Sequence, residues 1–314
     1  ALEIPVIVKS IYEKEALECD VAFNRIIRET VRGKSKYYLQ IVLKGRPPVK
    51  YNRITGELKH PMGEGRVGID TGLRTLAAVC ENEVKLVPLA SRVDMKNIEA
   101  EKTELQQKMD RSRRAMNPDN YNEDGTIKKQ GAKRVVWVKS NHYKQMQLQL
   151  QELGRKQAAI RKYRHYVLVN ELLSMGNKFY VVDKNYKQMQ ERMPLKQKED
   201  GSYASRKNYG KVINEKGPAM LLELLSQKIE QNNGEYIKVS ASSRLCQYSH
   251  ITDEYQKKDV TERYDSVSGC QKNLYTAFLL THMTDGVELD KAGCKETFEQ
   301  FKQMHDELLG KIEH

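Results

Sequence analysis

The stretch Arg66-Val67-Gly68-Ile69-Asp70-Thr71-Gly72-Leu73-Arg74-Thr75-Leu76-Ala77-Ala78-Val79 decides how the rest of the chain is read. Val67 and Ile69 describe a buried strand that finishes on the Asp70 carboxylate. Gly68 and Gly72 supply the turn glycines, and Leu76 to Val79 return as a second apolar strand. An α/β sheet binds its ligands outside the carboxyl ends of its strands, so an acid placed there is in position for chemistry. An aspartate that merely starts a turn after a strand gives the same pattern.

Three kinds of protein carry such a stretch. Aspartic proteases need two Asp-Thr-Gly aspartates facing each other in an all-β setting, whereas this chain has one, followed by long helical patterns. Actin-like ATPases place Asp-x-Gly in a hairpin but require further glycine-rich phosphate loops, which this sequence does not offer. In the ribonuclease-H-like nucleases the aspartate is the first of several acids that hold two magnesium ions.

Composition narrows the partner. The 314 residues are enough for a full core and two domains. With 54 Lys+Arg against 42 Asp+Glu the formal charge is +12, so an anionic partner is expected, nucleic acid first. An acidic membrane surface is the rival, but no apolar run reaches the length of a membrane span and no signal-peptide core opens the chain. The expected location is the cytoplasm, in association with the nucleoid. Cys19, Cys80, Cys246, Cys270 and Cys294 are odd in number, widely spaced and without a C-x-x-C pair, which argues against both a disulfide framework and a zinc knuckle.

Upstream of the Asp70 hairpin, Ile4-Pro5-Val6-Ile7-Val8-Lys9 and Tyr37-Tyr38-Leu39-Gln40-Ile41-Val42-Leu43 read as strands. Residues 1–65 therefore suggest a small barrel or sandwich, with the chain beginning inside it at Ala1. Downstream, Glu83 to Leu89 completes a meander, 92–115 is a charged helix, and 116–130 is a polar loop. From about Lys139 to Met175 the longest helical pattern follows, with Met146, Leu150, Leu153, Ile160 and Val167 on one face. Basic residues flank it, Arg155, Lys156, Arg161, Lys162, Arg164 and His165 among them, with Glu152 the one acid between Lys139 and Asn170. Phe179 to Asp183 opens as a buried strand, 194–216 is a lysine-rich loop, and a helix runs between Pro218 and Gly234. Glu235 to Val239 is a short strand, 243–266 is polar and irregular, a helix with an apolar face starts after Gly269, and a last helix carries Phe298, Phe301 and Leu308.

Taken in order, these pieces resemble the transposon-encoded TnpB family, compact relatives of the type V CRISPR effectors. Val67-Gly68-Ile69-Asp70-Thr71-Gly72 is similar to the first RuvC motif, Phe179 to Arg192 to the second, and Gln271-Lys272-Asn273-Leu274-Tyr275-Thr276-Ala277-Phe278 to the third. Lys216-Gly217-Pro218-Ala219-Met220 resembles the start of the helix after the second motif. The resemblance implies an α/β RuvC-like domain of ribonuclease-H fold over 66–314, with a helical insert at 92–175 and an irregular nucleic-acid-binding insert at 243–266. It also implies a partial wedge-type β-barrel over 1–65, a guide RNA and a double-stranded DNA target. Nothing before residue 37 is long enough for the family's helical recognition insert, so an incomplete N-terminus is expected. The family's zinc-finger cysteines are missing as well, since only Cys246 and Cys270 fall in that region, and no zinc is expected.

A RuvC centre needs Asp, Glu and Asp in its three motifs, because two magnesium ions about 3.5–4 Å apart demand several anionic oxygens. Asp70 matches the first. Val182 stands where the Glu belongs, and Asn273 where the second Asp belongs. Valine offers no ligand, and the asparagine amide offers one neutral oxygen. Neighbouring side chains of a strand point to opposite faces, so Asp183 is aimed away from Asp70 unless a bulge re-aims it. Asp265, before the third-motif helix, is the other conceivable substitute. The sequence thus describes a nuclease-dead centre with vestigial positions Asp70, Val182 and Asn273, no required cofactor, and magnesium only if a site survives. This is the pattern of the TnpB-like repressors, which occupy a promoter under the direction of guide RNA. For backbone contacts the candidates are Arg155, Lys156, Arg161, Lys162, Arg164, Lys187, Lys207 and Lys211, with Tyr209, Tyr248 and Tyr255 for base stacking. The alternatives are an active endonuclease with a displaced acid and a nucleic-acid-binding fragment that uses no guide.

Overall fold

The computed structural model describes residues 5–48, 50–89, 92–128, 135–191, 209–256 and 262–313. Along the chain, α1 (Ile11–Ala16) leads into the strands β1 (Val21–Val31) and β2 (Lys34–Leu43), then β3 (Arg66–Thr71), β4 (Thr75–Val79) and β5 (Val84–Pro88). The helices α2 (Arg92–Met116) and α3 (Asn141–Leu173) precede β6 (Lys178–Asp183), α4 (Tyr186–Gln190), α5 (Tyr209–Lys216), α6 (Pro218–Gln231) and β7 (Glu235–Ser240). Two short strands, β8 (Tyr248–Ser249) and β9 (Glu254–Tyr255), then α7 (Lys272–Thr281), two more, β10 (Met283–Thr284) and β11 (Glu288–Leu289), and α8 (Lys291–Glu313) complete the order. Among the described residues no helix is long and apolar enough to cross a membrane. The chain forms two compact units, one of residues 1–48 and 91–162, the other of 49–90 and 163–314.

In the first unit β1 and β2 form an antiparallel hairpin whose register closes on Val31 opposite Lys34. That leaves a two-residue turn, Arg32-Gly33, with φ of 52° and 73°, the double positive φ that matches the twist of the flanking strands. The rest of this unit packs the helical residues Leu105 and Met109 against Met146 and Leu153, with Ile98, Tyr143 and Leu150 around them. One expectation changes here. The run Ile4–Lys9 is not a strand over its described residues 5–9: Val6 and Ile7 are exposed and make no ladder. Conversely β1, whose adjacent Ile26 and Ile27 break a clean alternation, is a full strand fixed by its turn and partner. Among the described residues before 66, this is the one strand ladder.

In the second unit a five-stranded sheet runs in the order β5-β4-β3-β6-β7. β3, β4 and β5 are an antiparallel meander, and β6 and β7 lie parallel on the other side of β3. Alternation sorts the side chains into two layers. Val67, Ile69, Leu76, Ala78, Phe179 and Val181 face a core with Leu168, Val169, Leu172 and Leu173 of α3 and Leu221, Leu225 and Ile229 of α6. Ala77, Val79, Tyr180 and Val239 face the other, with Leu274, Ala277, Phe278 and Leu280 of α7 and Phe301 of α8. Gly68 sets how close α7 comes: a Cβ there would lie 1.9 Å from the Ala277 carbonyl oxygen, so only glycine admits the helix at this distance. The expected loop at 194–216 is in part a helix, since 209–216 form α5 with Ile213 buried. Gly217 at φ 59° turns the chain into α6, which Pro218 opens.

Candidate functional site

The sheet order places the first two quoted segments side by side, on β3 and β6, and α7 carries the third. β3 ends on Asp70, 4% exposed. The β3–β6 ladder pairs Ile69 with Val181, so the next positions in line are Asp70 and Val182. Both project toward the α7 layer: Gly68, two residues before Asp70, lies under Ala277, and Val182 packs against the core built on α7. Across the other ladder Asp70 is paired with Ala77. Alanine and valine therefore flank the carboxylate on its own face of the sheet.

Asn273 reaches the same place from α7. Gln271 caps the helix by accepting from the Leu274 N–H at 2.8 Å, which sets Asn273 in the first turn. Its Nδ2 lies 3.4 Å from Thr75 Oγ1, and a Cβ on Gly72 would sit 3.2 Å from that nitrogen. The amide thus stands over the turn that follows Asp70.

A residue that the sequence reading left without a role completes the centre. Lys184 Nζ donates to Asp70 Oδ1 at 2.5 Å and to the Thr71 carbonyl at 2.9 Å, with 29% of the lysine side chain and 6% of the aspartate side chain exposed. The same Thr71 carbonyl accepts from the Tyr186 hydroxyl at 3.2 Å. Burial, reinforced by the nearby Asp70 charge, pushes the Tyr186 phenol well above its ordinary value, so it stays a neutral donor. The signal was present in the sequence: Lys184 is two residues beyond Val182 and shares its face.

The two substitute acids have other surroundings. Asp183 is exposed and belongs to the opposite face, where burial, with the Asp183 charge adding to it, raises the Tyr236 phenol to about 12. It lines a groove of about 340 Å³ with Glu223 and Gln227 of α6 and Lys238 of β7, at the same strand end as Lys184 and Tyr186, which also line it. Asp265 is buried in its own turn, its Oδ2 accepting from the Ser268 N–H at 2.8 Å and hydroxyl at 2.7 Å. Among the described residues no three His, Cys, Asp or Glu side chains are grouped so as to hold a metal ion. A magnesium pair needs several anionic oxygens. One carboxylate already carrying an ammonium, beside an alanine, a valine and an amide, does not fit it.

The basic candidates occupy separate surroundings. Arg155 grips Glu152 through two nitrogens at 2.9 and 2.7 Å, which holds that carboxyl down to about 2 with help from the Arg32 N–H. Lys156, Lys162 and Arg164 are exposed along α3, and Arg161 is half-buried. His165 is not on that polar flank but buried, 1% exposed. Lys187 is exposed after β6, and Lys211 is exposed on α5 with Glu215 at 3.8 Å. Lys207 lies outside the described residues. Of the tyrosines, Tyr255 is exposed and Tyr209 half-buried. Tyr248 is buried and donates to Asp253 at 2.7 Å, so its ring is a packing group and its expected stacking role is withdrawn. All five cysteines are free, with Cys80, Cys270 and Cys294 buried.

No family model matches the chain, and no curated protein does. Among solved structures, a chain in the cryo-EM structure of the Cas12f1-sgRNA-target DNA complex is similar at 12% identity and a TM-score of 0.47. The alignment covers 84% of the present chain and 46% of that one, so this chain spans less than half the length of the protein it matches.

Proposed function

We propose that the chain is an RNA-guided DNA-binding protein derived from a transposon-encoded RuvC nuclease, which has lost cleavage and represses transcription by occupying guide-matched promoter DNA. One observation carries the reading. The three segments that resemble RuvC motifs converge at the end of one central strand, and of the three positions that should hold acids, Asp70 alone does, with its charge already answered by Lys184. Convergence supports descent from a RuvC-like ribonuclease-H fold. The loss of anionic oxygens supports inactivity. The remaining asset is the +12 charge, enough to track a phosphate backbone, while base pairing with a guide supplies sequence recognition.

The test is purification of the full chain with its bound RNA, sequencing of that RNA, and a gel-shift series against DNA matching its variable end. A recurring RNA scaffold and tight binding to matched but not scrambled duplex are expected. Random cellular RNA and equal affinity for both duplexes would contradict guided binding and favour the guide-free fragment.

A further inference from the structure

We infer that Lys184 is a built-in counter-cation that takes the seat of the metal ion, so that the centre holds divalent cations only weakly even where the missing acids are put back. This deepens the proposed loss of cleavage and rests on that reading of the Asp70 centre.

The geometry makes the claim specific. The ammonium is 2.5 Å from Asp70 Oδ1 and 2.9 Å from the Thr71 carbonyl oxygen. These are the two oxygens at the end of β3 that a hard cation would seek, one anionic and one carbonyl. A magnesium ion bound to Asp70 would need its oxygen at about 2.0–2.1 Å, within a few ångströms of a full positive charge. The two cations repel, and the lysine has the advantage of being tethered. Its tether is ordered at both sides: β6 fixes the direction of residue 184 through the Asp183–Ser240 pair. The short α4 follows, capped by the Asn185 side chain accepting from the Gln188 N–H at 3.0 Å. Tyr186 returns to the same carbonyl from the other side. Lys184 and Tyr186, two residues apart, thus occupy Asp70 Oδ1 and the Thr71 carbonyl, two of the oxygens that a cation would use.

The consequence goes beyond the vestigial acids. Charge at the centre now sums to zero with Asp70 and Lys184 paired, and restoring Glu at 182 and Asp at 273 adds two negative charges of which the ammonium neutralises part. Removal of the ammonium is then required for full affinity, and loss of the nuclease becomes a three-residue change rather than a two-residue one.

The experiment measures Mn2+ binding by electron paramagnetic resonance on four forms of the full chain. They are the wild type, Lys184→Ala, the double variant Val182→Glu/Asn273→Asp, and the triple variant that adds Lys184→Ala to that pair. The wild type and Lys184→Ala are expected to show no saturable site in the low millimolar range, the double variant weak binding, and the triple variant binding at least tenfold tighter than the double. Lys184→Gln, which keeps a donor and loses the charge, replaces alanine if the alanine form unfolds, with the same expected order. Equal affinity of the double and triple variants overturns the role of Lys184. DNA cleavage by the wild type with magnesium, measured in parallel, overturns instead the underlying reading that the centre is dead. Wild-type inactivity combined with equal metal binding therefore removes this inference alone.

Discussion

At the scale of the residue, the Asp70–Lys184 pair is a structural interaction as well as a chemical one. Breaking a buried ion pair costs about 3–5 kcal/mol because an unpaired charge stays behind; with 29% of the lysine side chain in solvent, we expect the loss for Lys184→Met to be about 2 kcal/mol. Urea unfolding measures it, and Asp70→Asn combined with Lys184→Met should recover most of the loss, since no carboxylate is then stranded. That Val182 and Asn273 would lie beside Asp70 followed from the resemblance of their segments to RuvC motifs, and the structure brings both residues there. The direction of Asp183 was legible for a different reason, strand parity. Strand parity puts Lys184 on the face of Val182, but a lysine just past a strand end is ordinarily solvated, and its contact with Asp70 is seen only in the structure.

At the scale of the element, the approach of α7 to β3 is the contact that builds the centre, and Gly68 is its condition. Gly68→Ala places a methyl 1.9 Å from the Ala277 carbonyl oxygen and 2.9 Å from Leu280 Cβ. Backbone cannot yield as a side chain does, so a loss of about 3 kcal/mol or more is expected, at the upper end of overpacking costs. The mirror case is Gly154, in the interior of α3 with nothing within 4 Å of an added Cβ. Gly154→Ala should raise stability by about 0.5–1 kcal/mol through helix propensity alone. Thermal melts of the two variants check both signs. Most elements could be read from periodicity, but two kinds could not. β1 carries its apolar residues without clean alternation and is decided by the Arg32-Gly33 turn. α5 was hidden by Gly210 and its charged neighbours, although Ile213 anchors it.

At the scale of the whole molecule, charge and buried imidazoles set the response to solution conditions. His250, His282 and His305 surround the α7–α8 aromatic core, with ring centroids 4.6 Å from Phe298, 4.8 Å from Phe278 and 5.8 Å from Phe301. Burial, the leading cause in each, lowers all three from the ordinary histidine value of 6.5. Below 6.5 the unfolded chain therefore binds more protons than the folded one. The stabilisation is complete above that pH and is lost as pH falls toward the depressed folded values. His305 gives this a structural target, since its Nε2 accepts from the Gln271 N–H at 2.9 Å, the residue that caps α7. Melting temperature should be level from pH 8 to 7 and fall from pH 6.5 to 5. For nucleic acid, replacing Lys156 and Lys162 by Glu should weaken binding to any duplex roughly tenfold or more at low salt and flatten the salt slope by about 2, with no change in sequence preference. The basic balance that suggests a nucleic-acid partner was legible in composition, whereas the commitment of Arg155 to Glu152 and the burial of His165 needed the fold. The central claim is that this centre no longer cuts, and a single incubation tests it: protein with its own RNA, matched duplex and magnesium, sampled for binding and for strand breaks. The account predicts a stable complex with intact DNA; breaks that appear with magnesium and vanish in Asp70→Ala would contradict it.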